Sequence, residues 1–188
     1  MLTSLRIFIG RLLMVTGLVI LAWAGLTLAH ARSVWDTYGR TPPAVAEVIA
    51  GVEESGSLEP GTPLGVIEIP RLQLEAVILE GEDDSTLLAG VGHVSTTPLP
   101  WEKSNSVLAG HRDTFFRDLK DVRVGDIIRV VTGDRTIEYI VRDVQVVDPT
   151  DVAVLDPTEH PTLTLITCYP FTFIGPAPRR YVVRAERT

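Results

Sequence analysis

The sequence contains very little cysteine: Cys168 is the single cysteine among 188 residues. This excludes an internal disulfide, a CxxC redox pair and a cysteine-rich zinc site. The sequence also lacks a His-Glu-x-x-His motif and a glycine-rich phosphate loop, so we expect no metal and no cofactor. Basic residues are a minority, 17 against 24 acidic ones for a net charge of −7, which argues against nucleic acid as a partner.

Acidic residues are absent from positions 1–32, so positions 33–188 hold all 24 of them against 14 basic residues, a net charge of −10. Between Arg11 and His30 lie eighteen uncharged residues. As a helix this run measures about 27 Å, close to the roughly 30 Å hydrocarbon core of a bilayer. Arg6 and Arg11 precede it, which predicts a single-pass cell-membrane protein with a cytoplasmic N-terminus and an extracytoplasmic body.

A cleaved signal peptide is the alternative for this N-terminal segment, because Ala29-His30-Ala31 fits the small-x-small cleavage pattern. The apolar run is longer than the usual core of roughly 7–15 residues, which favours a retained anchor. Either interpretation exports the rest of the chain. We therefore predict a cytoplasmic N-terminus over 1–11 and a transmembrane helix over 12–30.

Residues 31–63 are rich in proline and glycine and read as an extracytoplasmic linker. Residues Ala44 to Val52 could form a short helix within it. We expect the remainder to be a solvated stalk that holds the next domain away from the membrane.

From Leu64 onward the pattern is that of β-structure. Seven strand-length runs are rich in Val, Ile and Thr, and many of them alternate polar with apolar residues. Gly133-Asp134 predicts a hairpin turn, and Asp83 or Asp84 is expected to cap a short helix that ends at Ala89. Two further brief helices are expected at 114–120 and 150–155. The domain is therefore all-β with short helices, either a sandwich or a closed barrel.

Cys168 is the candidate nucleophile. It ends the apolar run TLTLIT and precedes Tyr169-Pro170, and a residue at the end of a strand tends to face a rim or a cleft. A thiol becomes an effective nucleophile at neutral pH when an imidazole or a guanidinium lies beside it. An inert, buried thiol is the alternative at this point.

Two histidines and two arginines are candidates to assist the thiol. His111 follows the strand-like run SVLAG, whereas His93 lies in GVGHVS, which looks like a loop, and residue type alone does not choose between them. Arg179-Arg180 opens the last strand, and a guanidinium is suited to a developing oxyanion. If Tyr181 faces the core, alternation places Arg180 on the opposite face of that strand.

These segments resemble the sortase family. TLITC, AGH upstream of it and RYVVRA downstream occur in the family's order, and the longer stretches AGHRDTFF, TLITCYPF and GPAPRRYVVRA are most similar to class D sortases. The resemblance covers Leu64 to Arg187. It implies a closed eight-stranded β-barrel over 64–188, preceded by one transmembrane helix and working without a cofactor.

The resemblance also implies roles for individual residues. Cys168 matches the nucleophile, His111 the catalytic histidine, and Arg180, not Arg179, the catalytic arginine. His93 matches a GxGH segment outside this trio. The implied reaction cleaves a Leu-Pro-x-Thr-Gly/Ala-like sorting signal after threonine through a thioester. The acyl group then passes to an amine from a peptidoglycan precursor or a protein, which anchors a surface protein to the envelope.

Five further residues are expected at the site. Thr167 could support the nucleophile and Asp113 could orient the histidine, while Tyr169, Pro170 and Phe171 are expected to border the substrate groove. The partners implied are a surface protein with a C-terminal sorting signal and an amine acceptor.

Three rival functions remain, and the first of them uses the same residues. An exported cysteine protease would use water in place of the amine. An L,D-transpeptidase carries Ser-x-Gly-Cys at the nucleophile, and Ile166-Thr167-Cys168 departs from that pattern. A non-catalytic envelope module would bury Cys168.

Overall fold

The computed structural model of the chain describes residues 2–55, 57–173 and 175–188. Within this part, eight strands close into a barrel in the order β1-β2-β3-β4-β7-β8-β6-β5, which confirms the predicted eight-stranded barrel. The strands are β1 Pro63–Ile69, β2 Leu74–Glu80, β3 Val91–His93, β4 Asn105–Ala109, β5 Ile127–Val131, β6 Thr136–Val147, β7 Thr162–Tyr169 and β8 Arg179–Arg187. The α-helices are α1 Leu2–Val34, α2 Val45–Ser55 and α3 Asp84–Ala89.

Strand directions bring three chain segments to one end of the barrel. β4 and β7 are parallel neighbours, and β7 and β8 are antiparallel neighbours. The last residues of β4 and β7 therefore lie beside the first residues of β8.

Along β7 and β8, successive side chains point alternately into the barrel and out of it. Leu165 and Val183 point inward and are fully buried in the main core. Ile166 and Val182 point outward, where they pack beneath the 3-10 turn Val152–Leu155. Tyr181 packs against the main core and Val182 lies in the outer cluster, so alternation along β8 places Arg180 on the outer face.

Most of the predicted elements are present. All seven strand-like runs form strands, and Val131 pairs with Thr136 across the Gly133-Asp134 turn. Asp83 caps α3, accepting hydrogen bonds from the backbone N–H groups of Ser85 and Thr86. Hydrogen bonds from Ser85 and Thr86 hold the pKa of Asp83 well below its usual range. The helices expected at 114–120 and 150–155 are short 3-10 turns at Arg117–Asp121 and Val152–Leu155.

The loop predicted around His93 is wrong, because this segment is the short strand β3. A β-carbon at Gly92 would lie 2.3 Å from the Gly81 carbonyl oxygen, and one at Gly90 would lie 2.6 Å from that of Val77. The backbones approach so closely that only glycine fits. Glycine is depleted in ordinary strands, so the pattern resembles a loop.

The N-terminal helix is long and apolar enough to cross a membrane, over the 31 residues Ile9–Gly39 that include the π-helical turn after α1. Its end is attached to the barrel. Val34, Trp35 and Tyr38 pack against an outward-facing patch of Val77 and Leu79 on β2, together with Ala89 of α3.

The linker is not a free stalk, and that expectation is wrong. The short helix predicted within it is α2, whose Val48 is only 4% exposed and belongs to the main core. Before α2, the Pro43 carbonyl accepts a hydrogen bond of 2.9 Å from the Gly133 N–H on the β5–β6 hairpin. Apolar burial and a backbone bond thus hold this segment against the barrel.

A bidentate ion pair joins two loops at the end of the barrel. Arg71 lies in the β1–β2 connection, and its Nε and Nη2 donate to the carboxylate of Asp126 at 2.5 and 2.6 Å. The Arg123 backbone N–H donates to the same carboxylate at 2.8 Å. The hydrogen bond from Arg71, more than any other contact, lowers the pKa of Asp126.

We expect Asp126→Asn to lower the free energy of unfolding by about 2 kcal/mol near neutral pH, since it removes hydrogen bonds to a charged group. The folded-state pKa lies below the unfolded value of about 3.9, so this stabilisation is present above that pH and lost as the pH falls through the folded pKa. Denaturant unfolding of the detergent-solubilised chain at several pH values measures the difference. Glu138→Gln, in the exposed Arg129–Glu138 pair, is the control and should cost about 0.5 kcal/mol or less. A difference for Asp126→Asn that stays constant down to pH 2 would contradict this account.

Candidate active site

The candidate thiol, imidazole and guanidinium occupy three neighbouring chain segments. Cys168, near the end of β7, pairs directly with Arg180 in β8. Ala109, the last residue of β4, pairs with Ile166, so the parallel chain reaches the level of Cys168 at His111. The structure therefore brings His111, Cys168 and Arg180 together at one end of the barrel.

All three side chains are half-buried. Cys168 is a free thiol on the outer face of β7, the face that it shares with Ile166. A thiol in this position is accessible to a substrate, and the buried cysteine required by the non-catalytic module is not found.

Within the described residues, the side chains of Cys168 and His111 make no hydrogen bond or ion pair. Arg180 donates from Nη1 to the carbonyls of Ala177 and Arg179, at 3.4 and 3.2 Å. The guanidinium keeps further N–H donors for a ligand. A nucleophile, a proton carrier and a fixed cation with free donors thus lie side by side, which is what acyl transfer through a thioester requires.

Thr167 links the strand that carries the thiol to the segment that carries the imidazole. Its side chain is buried, and its Oγ1 donates a 2.7 Å hydrogen bond to the carbonyl of Gly110. The bond connects the residue before Cys168 with the residue before His111. Thr167 therefore fixes the spacing between the two segments.

Gly110 lies directly before the histidine because the chain there is packed against an aromatic ring. A β-carbon at Gly110 would lie 2.7 Å from the ring of Phe116, which is fully buried. The Phe116 backbone N–H donates to the His111 carbonyl at 3.1 Å. Ring and hydrogen bond together shape the turn that presents His111.

Two of the expected supporting residues do not contact the trio through hydrogen bonds. Asp113 is exposed and makes no hydrogen bond or ion pair with any described residue. His93 is buried on β3, with Nδ1 2.7 Å from Glu80 Oε2 and Nε2 3.0 Å from the Pro98 carbonyl oxygen. Both ring nitrogens of His93 are thus engaged in holding the β2–β3 wall to the loop that follows.

The expected groove residues Tyr169, Pro170 and Phe171 are half-buried. The ring of Tyr169 stacks on Tyr181 with centroids 6.0 Å apart, and Phe171 meets Tyr181 edge-on at 5.1 Å. Phe171 and Tyr181 also pack against the main core. The aromatic rings therefore close the end of the barrel beside Cys168, and burial raises the pKa of Tyr181.

Sequence reasoning missed Arg112. Its guanidinium donates to the carbonyls of Pro170, Phe173 and Gly175 in the connection between β7 and β8. These partners are backbone atoms, which no residue type identifies. The sequence shows only that an arginine follows the candidate histidine and that the later loop is rich in proline.

A closed β-barrel with a thiol and a guanidinium on paired strands, and an imidazole just beyond the end of the neighbouring strand, has the groups of a cysteine peptidase or transpeptidase. The family model for the sortase domain matches residues 67–188. The chain belongs to the sortase family, whose members are cysteine transpeptidases that anchor surface proteins. The predicted family is confirmed.

The chain is 37% identical to Sortase D of Bacillus subtilis strain 168 over 130 residues, which cover 69% of this chain and 66% of that protein. It is 30% identical to Sortase A of Bacillus anthracis over 161 residues, 84% of this chain and 72% of that one. The chain thus spans about two thirds of the length of these relatives. The likeness to class D sortases is supported by the first of them.

Solved structures agree with this assignment. A Sortase D5 transpeptidase from Clostridium perfringens superposes with a TM-score of 0.72 at 25% identity, covering 85% of this chain and 99% of that chain. A sortase C from Clostridium perfringens with the C-terminal cell wall sorting motif gives a TM-score of 0.64 at 31% identity, over 69% and 72% of the two chains.

Thr167→Val should lower the free energy of unfolding by about 1–2 kcal/mol, because it keeps the shape but leaves the buried Gly110 carbonyl without its donor. Thr167→Ser, which retains the hydroxyl, should recover most of the loss. Chemical denaturation of both variants tests this. Equal destabilisation by Val and Ser would mean that the methyl group, not the hydrogen bond, matters at this position.

Proposed function

We propose that this chain is a membrane-anchored sortase that cleaves a Leu-Pro-x-Thr-Gly/Ala-like sorting signal after threonine and joins the acyl part to an amine. The direct strand pairing of Cys168 with Arg180, with His111 level with them on the parallel neighbour, is the observation that carries the proposal. Membership of the sortase family supports it.

The first half of the reaction forms a thioester. The Cys168 thiolate adds to the threonine carbonyl carbon, and free N–H donors of Arg180 stabilise the negative charge that develops on the oxygen. His111 in its protonated form gives a proton to the departing amine as the C–N bond breaks. The products are an acyl-enzyme on Cys168, a neutral imidazole and the released C-terminal peptide.

The second half reverses these roles. An amine adds to the thioester carbonyl, its proton passes to His111, and the Cys168 thiolate departs as an amide forms. The absence of a protein hydrogen bond on the described side chains of His111 and Cys168 suits this scheme. Both groups remain free to serve a leaving amine and then an entering one.

The proposed setting is a cell membrane, with α1 as a single-pass anchor, its N-terminus cytoplasmic and the barrel outside. Arg6 and Arg11, which precede the apolar run, support this orientation. The proposed partners are a surface protein with a C-terminal sorting signal and an amine acceptor from a peptidoglycan precursor or a protein. A similar sortase C, described with a cell wall sorting motif, supports the choice of substrate class.

The full-length chain in detergent micelles, given a Leu-Pro-x-Thr-Gly/Ala peptide library and triglycine, should yield peptide cleaved after threonine and joined to triglycine. Mass spectrometry identifies the product, and Cys168→Ala should abolish it while the fold persists. Free acid without amide would indicate a hydrolase. Absence of any cleavage, with Cys168 inert to alkylation in the folded chain, would overturn the nucleophile assignment.

Arg180→Lys should lower kcat/KM by about 10²–10³-fold, because an ammonium cannot present the planar donors that suit an oxyanion. Its neighbour Arg179 is exposed and begins the same strand, so Arg179→Lys is the matched control and should retain the wild-type rate. Peptide cleavage followed by chromatography measures both. Loss of activity in the Arg179 variant with a normal Arg180 variant would reverse the assignment of the arginine.

A further inference from the structure

Arg112, directly after His111, is surrounded by backbone carbonyls of one loop. Its Nη1 donates to the Pro170 carbonyl at 2.9 Å, and its Nη2 donates to those of Phe173 and Gly175 at 2.6 and 3.2 Å. Its guanidinium carbon also lies 6.0 Å from the centroid of the Phe173 ring. Three carbonyls from the β7–β8 connection therefore meet at one half-buried cation.

A guanidinium suits this position better than any other side chain. It is planar, permanently charged and carries five N–H donors in a fixed fork. The β7–β8 connection lies outside the barrel's strand pairing, so its carbonyls lack the partners that strands provide. Among the described residues, Arg112 donates three charge-assisted bonds to carbonyls of this connection, whereas the Phe173 N–H and Arg180 donate one each, to Pro170 and Ala177.

The connection runs from the thiol to the guanidinium of the active site. Cys168 lies just before it and Arg180 just after it. Arg112 is covalently next to His111, so its hydrogen bonds tie the imidazole segment to the chain between the other two groups. On the other side of His111, the Gly110 carbonyl accepts from Thr167. His111 is bracketed by two cross-links to the segment that carries Cys168.

We propose that Arg112 is a positioning residue that sets the shape of the β7–β8 connection and holds His111 in register with Cys168 and Arg180. The inference rests on the proposed sortase function, because its consequence is a rate of acyl transfer. Arg112 acts through the chain that it holds and takes no part in the bond changes.

The proposed role needs the shape of the Arg112 guanidinium as well as its positive charge. Arg112→Lys keeps the positive charge, but one compact ammonium lacks the wide fork that spans three carbonyls. We therefore expect Arg112→Ala and Arg112→Lys to lower the single-turnover rate of acylation at saturating peptide by about 10²-fold, the loss typical of a misplaced reacting group. Arg117→Ala is the matched control, since it removes an exposed arginine nearby whose side chain makes no hydrogen bond with the described residues.

The full-length chain in detergent micelles is used throughout, and unchanged unfolding midpoints verify that the variants fold. Low-millimolar methylguanidinium should restore several-fold activity to Arg112→Ala, whereas methylammonium should not. A purely structural loss would not respond to the shape of the added cation. Wild-type acylation in Arg112→Ala, or an equal loss in Arg117→Ala, would overturn the proposal.

Hydrogen exchange provides a readout that does not depend on activity. The backbone N–H of Phe173, which donates to the Pro170 carbonyl, should exchange faster in Arg112→Ala than in the wild type or in Arg117→Ala. If the wild type cleaves no peptide, the proposed function fails, and this measurement still decides whether Arg112 holds the connection. Unchanged protection would overturn the positioning role.

Discussion

The site depends on the register between β4, β7 and β8. Because side chains alternate along a strand, a slip by one residue would turn Cys168 into the barrel and expose the core leucines. Two features oppose such a slip. Leu163 and Leu165 are fully buried inside the barrel, and the Thr164 hydroxyl donates a 2.7 Å hydrogen bond to the buried side chain of Asn105. The amide of Asn105 also donates to two carbonyls of the β6–β7 connection, so strand register and the covering turn are fixed together.

Much of this fold can be predicted from the sequence, because most of its strands and helices have a recognisable pattern within their own residues. Alternating Val, Ile and Thr mark strands that half-face a core, and Asp83 marks a helix start. The strand β3 could not be predicted in this way. Gly90 and Gly92 are needed there because the backbone at Val77 and Gly81 approaches too closely for a β-carbon, and a local pattern does not show this contact. The docked linker was missed for the same reason: proline and glycine suggest exposure, and only the fold supplies the groove that Val48 fills.

The site shows the same division between local and long-range information. A thiol at a strand end is a candidate on local grounds, and the family resemblance favours His111 over His93. The pairing of β4 with β7 supplies the physical reason, because it carries the chain after Ala109 towards Cys168. The contacts of Arg112 could not be predicted, because its partners are backbone carbonyls 58 to 63 positions away and every residue type has a carbonyl.

The packing of Trp35 and Tyr38 on β2 has a mechanical consequence. In the ring of eight strands, β2 and β8 are four places apart. The end of the N-terminal helix therefore packs on the side of the barrel opposite the strand that carries Arg180. Apolar packing, and not a free linker, therefore joins the end of the helix to the barrel. In the proposed membrane setting, the barrel would meet a substrate held in the same bilayer by lateral diffusion, which is a search in two dimensions.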